Sequence, residues 1–339
     1  MDSGCRMQDA GYRIQDAGYR IHARCDSLPD PWILYPVSCI LFAVLVLISC
    51  NGSSGKKDTS LEFPSELVEF LPYKRNPVFS GTGINTWDEE IRERGFILKE
   101  ADGYHLWYTG FRKNIDTGSM WLGYASSPDG INWTRYKDNP VFSDSWTEDM
   151  MVIKSDSIYY MFAEGRGDTA HMLTSIDKIH WKDHGSLQIR YTNGQPLSPG
   201  PYGTPTVIKE DSIWYLFYER NDSAIWLASS KDLNVWTNVQ DAPVLDKGPG
   251  DYDKHGVALN QVIKYKGNYY GYYHATAYAD WHEWSTNVAV SKDLINWKKY
   301  GSNPIVKENK SSGILVHDGS AYRLYSMHPQ VHVHFPVGN

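Results

Sequence analysis

Five copies of one strand pattern, spaced by 55, 55, 55 and 53 residues in a chain with no helical period, predict an all-β fold. The architecture they fit is a five-bladed β-propeller of four-stranded antiparallel blades. Two more observations agree. A Ser-x-Asp-x-x-x-Trp turn recurs four times, and aromatic residues, 14% of the 339, return at fixed strand positions.

The chain opens on a polar stretch with a tandem heptad, Gln8 to Ile14 and again Gln15 to Ile21, followed by an apolar run over residues 37–49. That run is too short to span a bilayer, which takes about 20 apolar residues, and it has the length of a signal-peptide core. Leu47-Ile48-Ser49-Cys50 has the form of a bacterial lipobox, which would make Cys50 the lipid-modified first residue. Residues 1–50 are therefore expected to be a signal and lipoprotein segment, with 1–33 a mis-assigned translation start, and 51–67 a linker. The product is expected to be exported and held to a membrane only through that lipid anchor.

From residue 68 to 339 the repeats run without a break. Each inner strand ends on a basic residue: Ile97-Leu98-Lys99, Val152-Ile153-Lys154, Val207-Ile208-Lys209, Val262-Ile263-Lys264 and Leu315-Val316-His317. A polar turn follows each, then an aromatic strand (residues 104–108, 159–162, 214–217, 269–272 and 322–325), so five hairpins are predicted. The turn motifs start at Ser127, Ser175, Ser230 and Ser291; their Asp suits capping of backbone amides and their Trp suits packing between blades. Asn139-Pro140-Val141-Phe142 and its echoes read as an outermost strand, where proline is tolerated. A further copy, Asn76-Pro77-Val78-Phe79, precedes the first blade. It implies that the N-terminal strand completes the fifth blade and closes the ring.

Composition narrows the function. A net charge of -7 does not supply the positive field that nucleic acid needs, so a neutral or polar ligand is expected. All four cysteines lie within the first 50 residues, which excludes disulfides, cysteine metal sites and thiol nucleophiles from the repeats. No cofactor is expected, no metal, and a monomer. His332-Val333-His334 has no acidic neighbour in sequence to complete a metal site.

Chemistry in a propeller sits where inner strands enter and second strands end. At the first place stand Arg94, Asp149, Thr204, Leu259 and Ser312, preceded by Glu93, Glu148, Gly203, Ala258 and Ser311. At the second stand Gly110, Glu164, Glu219, His274 and Met327, which should form one ring. These positions diverge while their flanks repeat, which points to a site built on the scaffold. Glu93, Asp149, Glu164 and Glu219 are the candidate catalytic carboxylates, since one carboxyl protonates a leaving oxygen while another activates water or attacks the anomeric carbon. Arg94, Arg166, Arg220, His255, His274 and His328 are the candidate substrate-binding residues. Trp87, Trp146, Tyr202, Tyr252, Trp281 and Trp284 break the repeat and lie in loops, where aromatic faces suit sugar rings.

The strand Thr206-Val207-Ile208-Lys209-Glu210-Asp211-Ser212-Ile213-Trp214-Tyr215-Leu216-Phe217-Tyr218 and the Ser-x-Asp-x-x-x-Trp turns resemble the five-bladed propeller glycoside hydrolases, the group of families 43, 32, 68, 117 and 130, over residues 68–339. The resemblance implies a general base Asp on the first inner strand, a pKa-tuning Asp on the second and an acid Glu on the third. Asp149 matches the second. The first position holds Arg94 beside Glu93, and the third reads Gly203-Thr204-Pro205, so Glu164 or Glu219 must supply the acid and Glu93 or Asp149 the base. The function expected is glycoside hydrolysis of oligo- or polysaccharides. The alternatives are a non-catalytic carbohydrate-binding propeller and a glycoside phosphorylase, with Arg94, Arg166 and the histidines on phosphate.

Overall fold

The computed structural model describes residues 62–112 and 120–338. The expected start, signal segment and Cys50 lie outside them. Five sheets succeed one another along the chain, each built from an inner strand outward. Blade 1 comprises Glu90–Glu100, Gly103–Phe111, Trp121–Ser127 and Thr134–Arg135; blade 2, Glu148–Ser155, Ile158–Gly165, Thr169–Ser175 and Lys182–Ser186. Blade 4 comprises Gly256–Tyr265, Asn268–Thr276, Ser285–Ser291 and Trp297–Lys299. Blade 5 joins both ends of the repeats, because Phe70–Pro72 pairs antiparallel with His332–Pro336 outside Tyr322–Ser326 and Ile314–His317. The expected closure by the N-terminal strand is the one found.

Three details differ from the sequence expectation. Blade 3 (Gly203–Glu210, Ala224–Ser230 and their partners) has six strands, since Gln188–Arg190 adds in parallel to Val235–Asn238 and Leu245–Asp246 pairs with Ala224–Ser230. The Asn-Pro-Val-Phe segments are not the outermost strands. Proline lacks an amide for the ladder, and the preceding asparagine replaces it: the Asn139 side chain accepts from the Tyr124 amide and donates to its carbonyl, both at 2.9 Å. Asn303 holds Val288 in the same way, and Asn76 holds Val333. Finally, the folded body starts before residue 68. Phe63 and Leu67 are buried against Tyr270 and Tyr272 of blade 4, and the Tyr272 hydroxyl donates to the Leu67 carbonyl at 2.7 Å.

The repeated motifs make repeated contacts. Asp129 Oδ1 accepts from the amides of Ile131 and Asn132, and Asp177 and Asp293 do the same in their turns. Amides of Asn296 and Ile295, with the Asn296 side chain, hold the Asp293 carboxyl down to about 2. Three of the four motif tryptophans then meet the second strand of the preceding blade edge-on: Trp181 on Trp107, Trp236 on Phe162, Trp297 on Phe217. The lysines ending the inner strands of blades 2, 3 and 4 reach back one blade, Lys154 to Glu100 at 2.6 Å, Lys209 to Ser155 at 2.9 Å and Lys264 to Glu210. At the same end of blade 1, Glu100, Asp102 and His105 could together ligate a metal, but the Lys178 ammonium from blade 2 lies within 3.0 Å of all three.

At the other end every inner strand of blades 1 to 4 changes register, between Arg92 and Phe96, Glu148 and Met151, Gly203 and Thr206, and Leu259 and Gln261. These bulges re-aim side chains at the mouth. Asp149, Thr204 and Ser312 sit there at φ 44°, 42° and 57°, backbone that non-glycine residues seldom adopt. The first bulge turns Arg94 inward. Its guanidinium is fully buried and donates to carbonyls of four residues: Asp149, Pro205 (2.8 Å), Leu259 (3.0 Å) and Asn260 (3.1 Å), and to Thr206 Oγ1 (2.8 Å). Arg94 thus ties blade 1 to blades 2, 3 and 4 and has no face left for a substrate, which corrects the expectation of a ligand contact.

Removing that fork leaves several buried carbonyls without donors. Arg94→Met is expected to lower unfolding free energy in urea by about 3–5 kcal/mol. Arg94→Lys should recover little of it, because one ammonium cannot reproduce a planar fork of donors.

Candidate active site

The bulged ends of the inner strands and the turns after the second strands of blades 2 and 3 enclose a cavity of about 390 Å3. Seven carboxylates line it: Glu93, Glu148, Asp149, Glu164, Asp168, Glu219 and Asp222. All four carboxylates picked from the sequence are among them, together with His274 and two of the loop tryptophans, Trp281 and Trp284. Pairing places Glu148 opposite Glu164 and Gly203 opposite Glu219, so the expected ring of second-strand ends is real at its Glu, Glu and His positions. Its other two members are covered: Gly110 lies beneath Trp87, and Met327 is buried against Gly95.

Gly203 is where the cluster converges. A Cβ placed on it would collide with Glu164 Oε2 and stand 2.7 Å from Glu219 Oε1, so both carboxyls occupy the space that a side chain would fill. The backbone around it supplies donors. The Gly203 amide donates to Glu219 Oε1 at 3.2 Å, the Asp222 amide to Glu219 Oε2 at 2.6 Å, and the Thr204 amide to Glu164 Oε2 at 2.8 Å. Asp149 Oδ1 accepts from the Arg94 amide at 3.0 Å, and the Trp146 indole donates to Glu148 Oε1 at 2.8 Å. Arg92 is the cation lining the cavity, and its Nε lies 2.5 Å from Glu148 Oε2.

So many acids with so few cations cannot all ionise. Burial, then the Asp149 charge, pushes Glu93 up to about 8. Burial raises Glu148 to about 7 against the pull of Arg92, and Glu219 to about 7 against the amide of Asp222. Glu164 is raised well above the carboxylate range by burial and then by Asp149, Glu148 and Glu219; Asp222 is raised by burial and Glu219. Protons, rather than counter-charges, neutralise the site. Burial depresses His274 to about 4, so its imidazole is neutral, with Nδ1 2.8 Å from the Asn260 amide nitrogen.

The remaining candidates disperse. Arg220 donates to the carbonyls of Pro201 (3.1 Å), Ser198 and Pro199 (both 3.2 Å) and anchors that loop. His255 is exposed and does not line the cavity. His328 is half-buried and depressed to about 4 by desolvation, with Nε2 3.3 Å from Asn309. Arg166 lies over the Trp146 ring at 5.3 Å, and with Trp87 lines a different cavity. Tyr252 pairs its hydroxyl with Tyr273 at 3.2 Å, and Tyr202 packs against the core. Sequence reasoning did not select Arg92, Glu148, Asp168 or Asp222. Glu148 stood in the row before Asp149, and the other signal was position: Asp168 and Asp222 follow the second strands of blades 2 and 3 by a few residues.

The chain matches no family model. It is 29% identical to a 1,2-beta-oligomannan phosphorylase of Thermoanaerobacter sp. (strain X514) over 291 residues, 76% of this chain and 94% of that protein. It also shares its fold with solved structures. One is beta-1,2-mannobiose phosphorylase from Listeria innocua in complex with beta-1,2-mannobiose (TM-score 0.59, 15% identity, 78% of this chain and 95% of that one). Another is from the GH130 family of mannoside phosphorylases, which contains glycoside hydrolases that target beta-1,2 mannosidic linkages in Candida mannan (TM-score 0.61, 15% identity, 80% and 94%). The propeller expected from the resemblance is therefore the fold these carbohydrate-active proteins have. Between the expected functions, the names of the phosphorylases favour the alternative over hydrolysis.

The raised carboxyls fix a pH dependence. A carboxyl whose folded pKa exceeds its unfolded value contributes stability present in full below the unfolded pKa, about 4.5, and lost as pH rises through the folded one. The histidines His274, His328, His332 and His334, depressed to about 4 by desolvation, act oppositely, but their effect fades above about 6.5, where the unfolded imidazole is neutral too. From pH 6.5 to 8 the thermal midpoint is expected to fall. Glu93→Gln should flatten that fall by up to about 1.4 kcal/mol per pH unit in calorimetry across the same range.

Proposed function

We propose that the chain cleaves β-1,2-linked mannosides by acid-base catalysis at the acid cluster, with water as the acceptor. Sugar and linkage rest on what the relatives act on. The acceptor rests on one observation, the charge of the cavity: seven carboxylates line it, and Arg92 is engaged by Glu148. A phosphate anion would need charge-assisted donors there. Arg94 is committed to backbone carbonyls, Arg166 lines another cavity, and His274 and His328 are neutral at neutral pH. Water needs only a base.

Roles follow from the proton distribution. Glu164, raised well above the carboxylate range by burial and its acidic neighbours, is the acid that donates a proton to the glycosidic oxygen. Glu219, at about 7, is poised to take a proton from the attacking water. Asp149 touches neither step in this scheme; its charge keeps Glu164 protonated. Trp281, 46% exposed at the cavity, offers a face to the sugar ring. A binding-only propeller leaves these elevated carboxyls unexplained. The exported form anchored at Cys50 belongs to the same proposal, on the strength of the apolar run and lipobox over residues 37–50.

The second reading, phosphorolysis, has the phosphorylase relatives in its favour. The two separate when β-1,2-mannobiose is incubated with and without inorganic phosphate and the products are resolved by anion-exchange chromatography. Free mannose at the same rate in both is expected. A sugar 1-phosphate that appears only with added phosphate would replace water by phosphate, and no cleavage in either would overturn the reading altogether.

Glu164→Gln and Glu219→Gln are each expected to lower kcat by about 100- to 10,000-fold. Full activity in both would remove these acids from the chemistry. Gly203→Ala makes a different demand, because its Cβ must displace the two carboxyls that meet above it. A kcat loss of about 100-fold with circular dichroism unchanged is expected from that displacement.

A further inference from the structure

A second, larger cavity of about 700 Å3 opens at the same end of the propeller, between blades 1 and 2. Its size lies in the range of about 300–1,000 Å3 typical of small-ligand sites. The turn over residues 165–169 stands between it and the acid cluster: Gly165 lines one cavity and Glu164 the other, Thr169 one and Asp168 the other. Trp146 is part of the shared wall, with its ring in the larger cavity and its N–H on Glu148. None of the roles assigned above uses this space.

Its walls have the chemistry of a sugar site. Trp87, Trp121 and Trp146 all line it, and Trp87 and Trp146 come from loops outside the repeat. Trp87 is held in place by stacking on Tyr108, with ring centroids 5.8 Å apart. The polar element is His171, 5% exposed, whose Nδ1 lies 3.2 Å from Asp183 Oδ2. Ser145 donates to the same oxygen at 2.8 Å. That arrangement orients the imidazole with its Nδ1 proton toward the carboxylate. The other ring nitrogen, Nε2, is buried with no partner. A buried polar atom without a partner calls for a reason. Gly165 lines the cavity beside it, where a Cβ would stand 3.8 Å from Nε2, so the missing side chain leaves a way for a hydroxyl to approach.

We propose that this cavity is a further sugar subsite, holding a pyranose of the same saccharide beyond the two units that flank the cleaved bond. The indole faces take the apolar face of the ring, and His171 Nε2 accepts from a hydroxyl. The assignment rests on the function proposed above and adds its substrate class: chains of three or more sugars are preferred to the disaccharide. Adjacency selects the occupant, since the turn over residues 165–169 lines both cavities and Trp146 joins the larger one to Glu148.

The test uses saccharides of two lengths on the full chain. β-1,2-linked mannobiose and mannotetraose are titrated calorimetrically into the Glu164→Gln protein, and kcat/KM for both is measured on the parent. The tetraose should bind about tenfold more tightly, the scale of one good ring contact. Trp121→Ala should reduce that ratio to near one, and Trp121→Phe should restore most of it. Ser143→Trp, made at an exposed residue lining the cavity, fills the space without removing any core contact and should abolish the ratio as well. A ratio near one in the parent, including no binding of either sugar, overturns the subsite, as does a ratio that survives both Trp121→Ala and Ser143→Trp. Length-dependent binding without cleavage would remove the reaction and leave the subsite; cleavage of mannobiose without length dependence would do the reverse.

Discussion

The guanidinium of Arg94 is the contact on which the rest of the structure depends. It starts on blade 1 and ends on carbonyls of blades 2, 3 and 4, fully buried at the core of the ring. A propeller is otherwise held by contacts between successive blades, each of which constrains only its neighbours. A single fork that reaches four blades fixes their relative rotation at the level where their inner strands bulge. Burial lowers Arg94 to about 10, against the charges of Asp149 and Glu164, so it still carries a charge at neutral pH. The acid cluster thus lies over a permanent cation whose two terminal nitrogens are engaged by the protein itself.

That geometry decides how the cluster is neutralised. Arg94 faces the backbone, and Arg92 faces Glu148, so the other carboxyls see mainly one another. With few cations within reach, binding protons is the least costly response: Glu93 is raised to about 8, Glu148 and Glu219 to about 7, and Glu164 and Asp222 well above the carboxylate range. A site of this kind stores transferable protons and repels anions. Both properties come from the same scarcity of positive charge, which is why the acid chemistry and the choice of acceptor cannot be varied independently. An arginine or lysine introduced to hold an anion would also deprotonate the acid.

Periodic features were legible in the sequence because their physics is local. The Asp of each Ser-x-Asp-x-x-x-Trp turn caps amides two and three residues on, and its Trp packs on the adjacent blade, so spacing alone carries the information. The Asn-Pro-Val-Phe segment misled because it forms no strand of its own: the Asn139 side chain pairs with Tyr124, and Val141 and Phe142 make a single backbone bridge to Leu122. At the site, the carboxylates Glu93, Asp149, Glu164 and Glu219 were found by their place in the sequence repeat. What register does not contain is direction. Arg94 and Asp149 hold equivalent positions in the repeat, yet one turns to the axis and the other lines the cavity. Asp222 escaped because it belongs to a turn whose length differs from blade to blade.

Gly203 shows how a departure from a family pattern can be a rearrangement of the same parts. The resemblance places a glutamate at the entry of the third inner strand, and this chain has Gly203-Thr204-Pro205 there. The missing side chain leaves room, and the room is taken by Glu164 from blade 2 and Glu219 from blade 3, each reaching over Gly203 from the end of a second strand. Their carboxyls are held by amides of Gly203 and Thr204, the very segment that would have carried the acid. A side chain restored at 203 would therefore compete with Glu164 and Glu219 for one volume rather than add a carboxyl to the site. Two glutamates at the ends of the second strands of neighbouring blades and the glycine they meet over are a single feature, and none of the three can be replaced by a larger residue while the other two stay where they are.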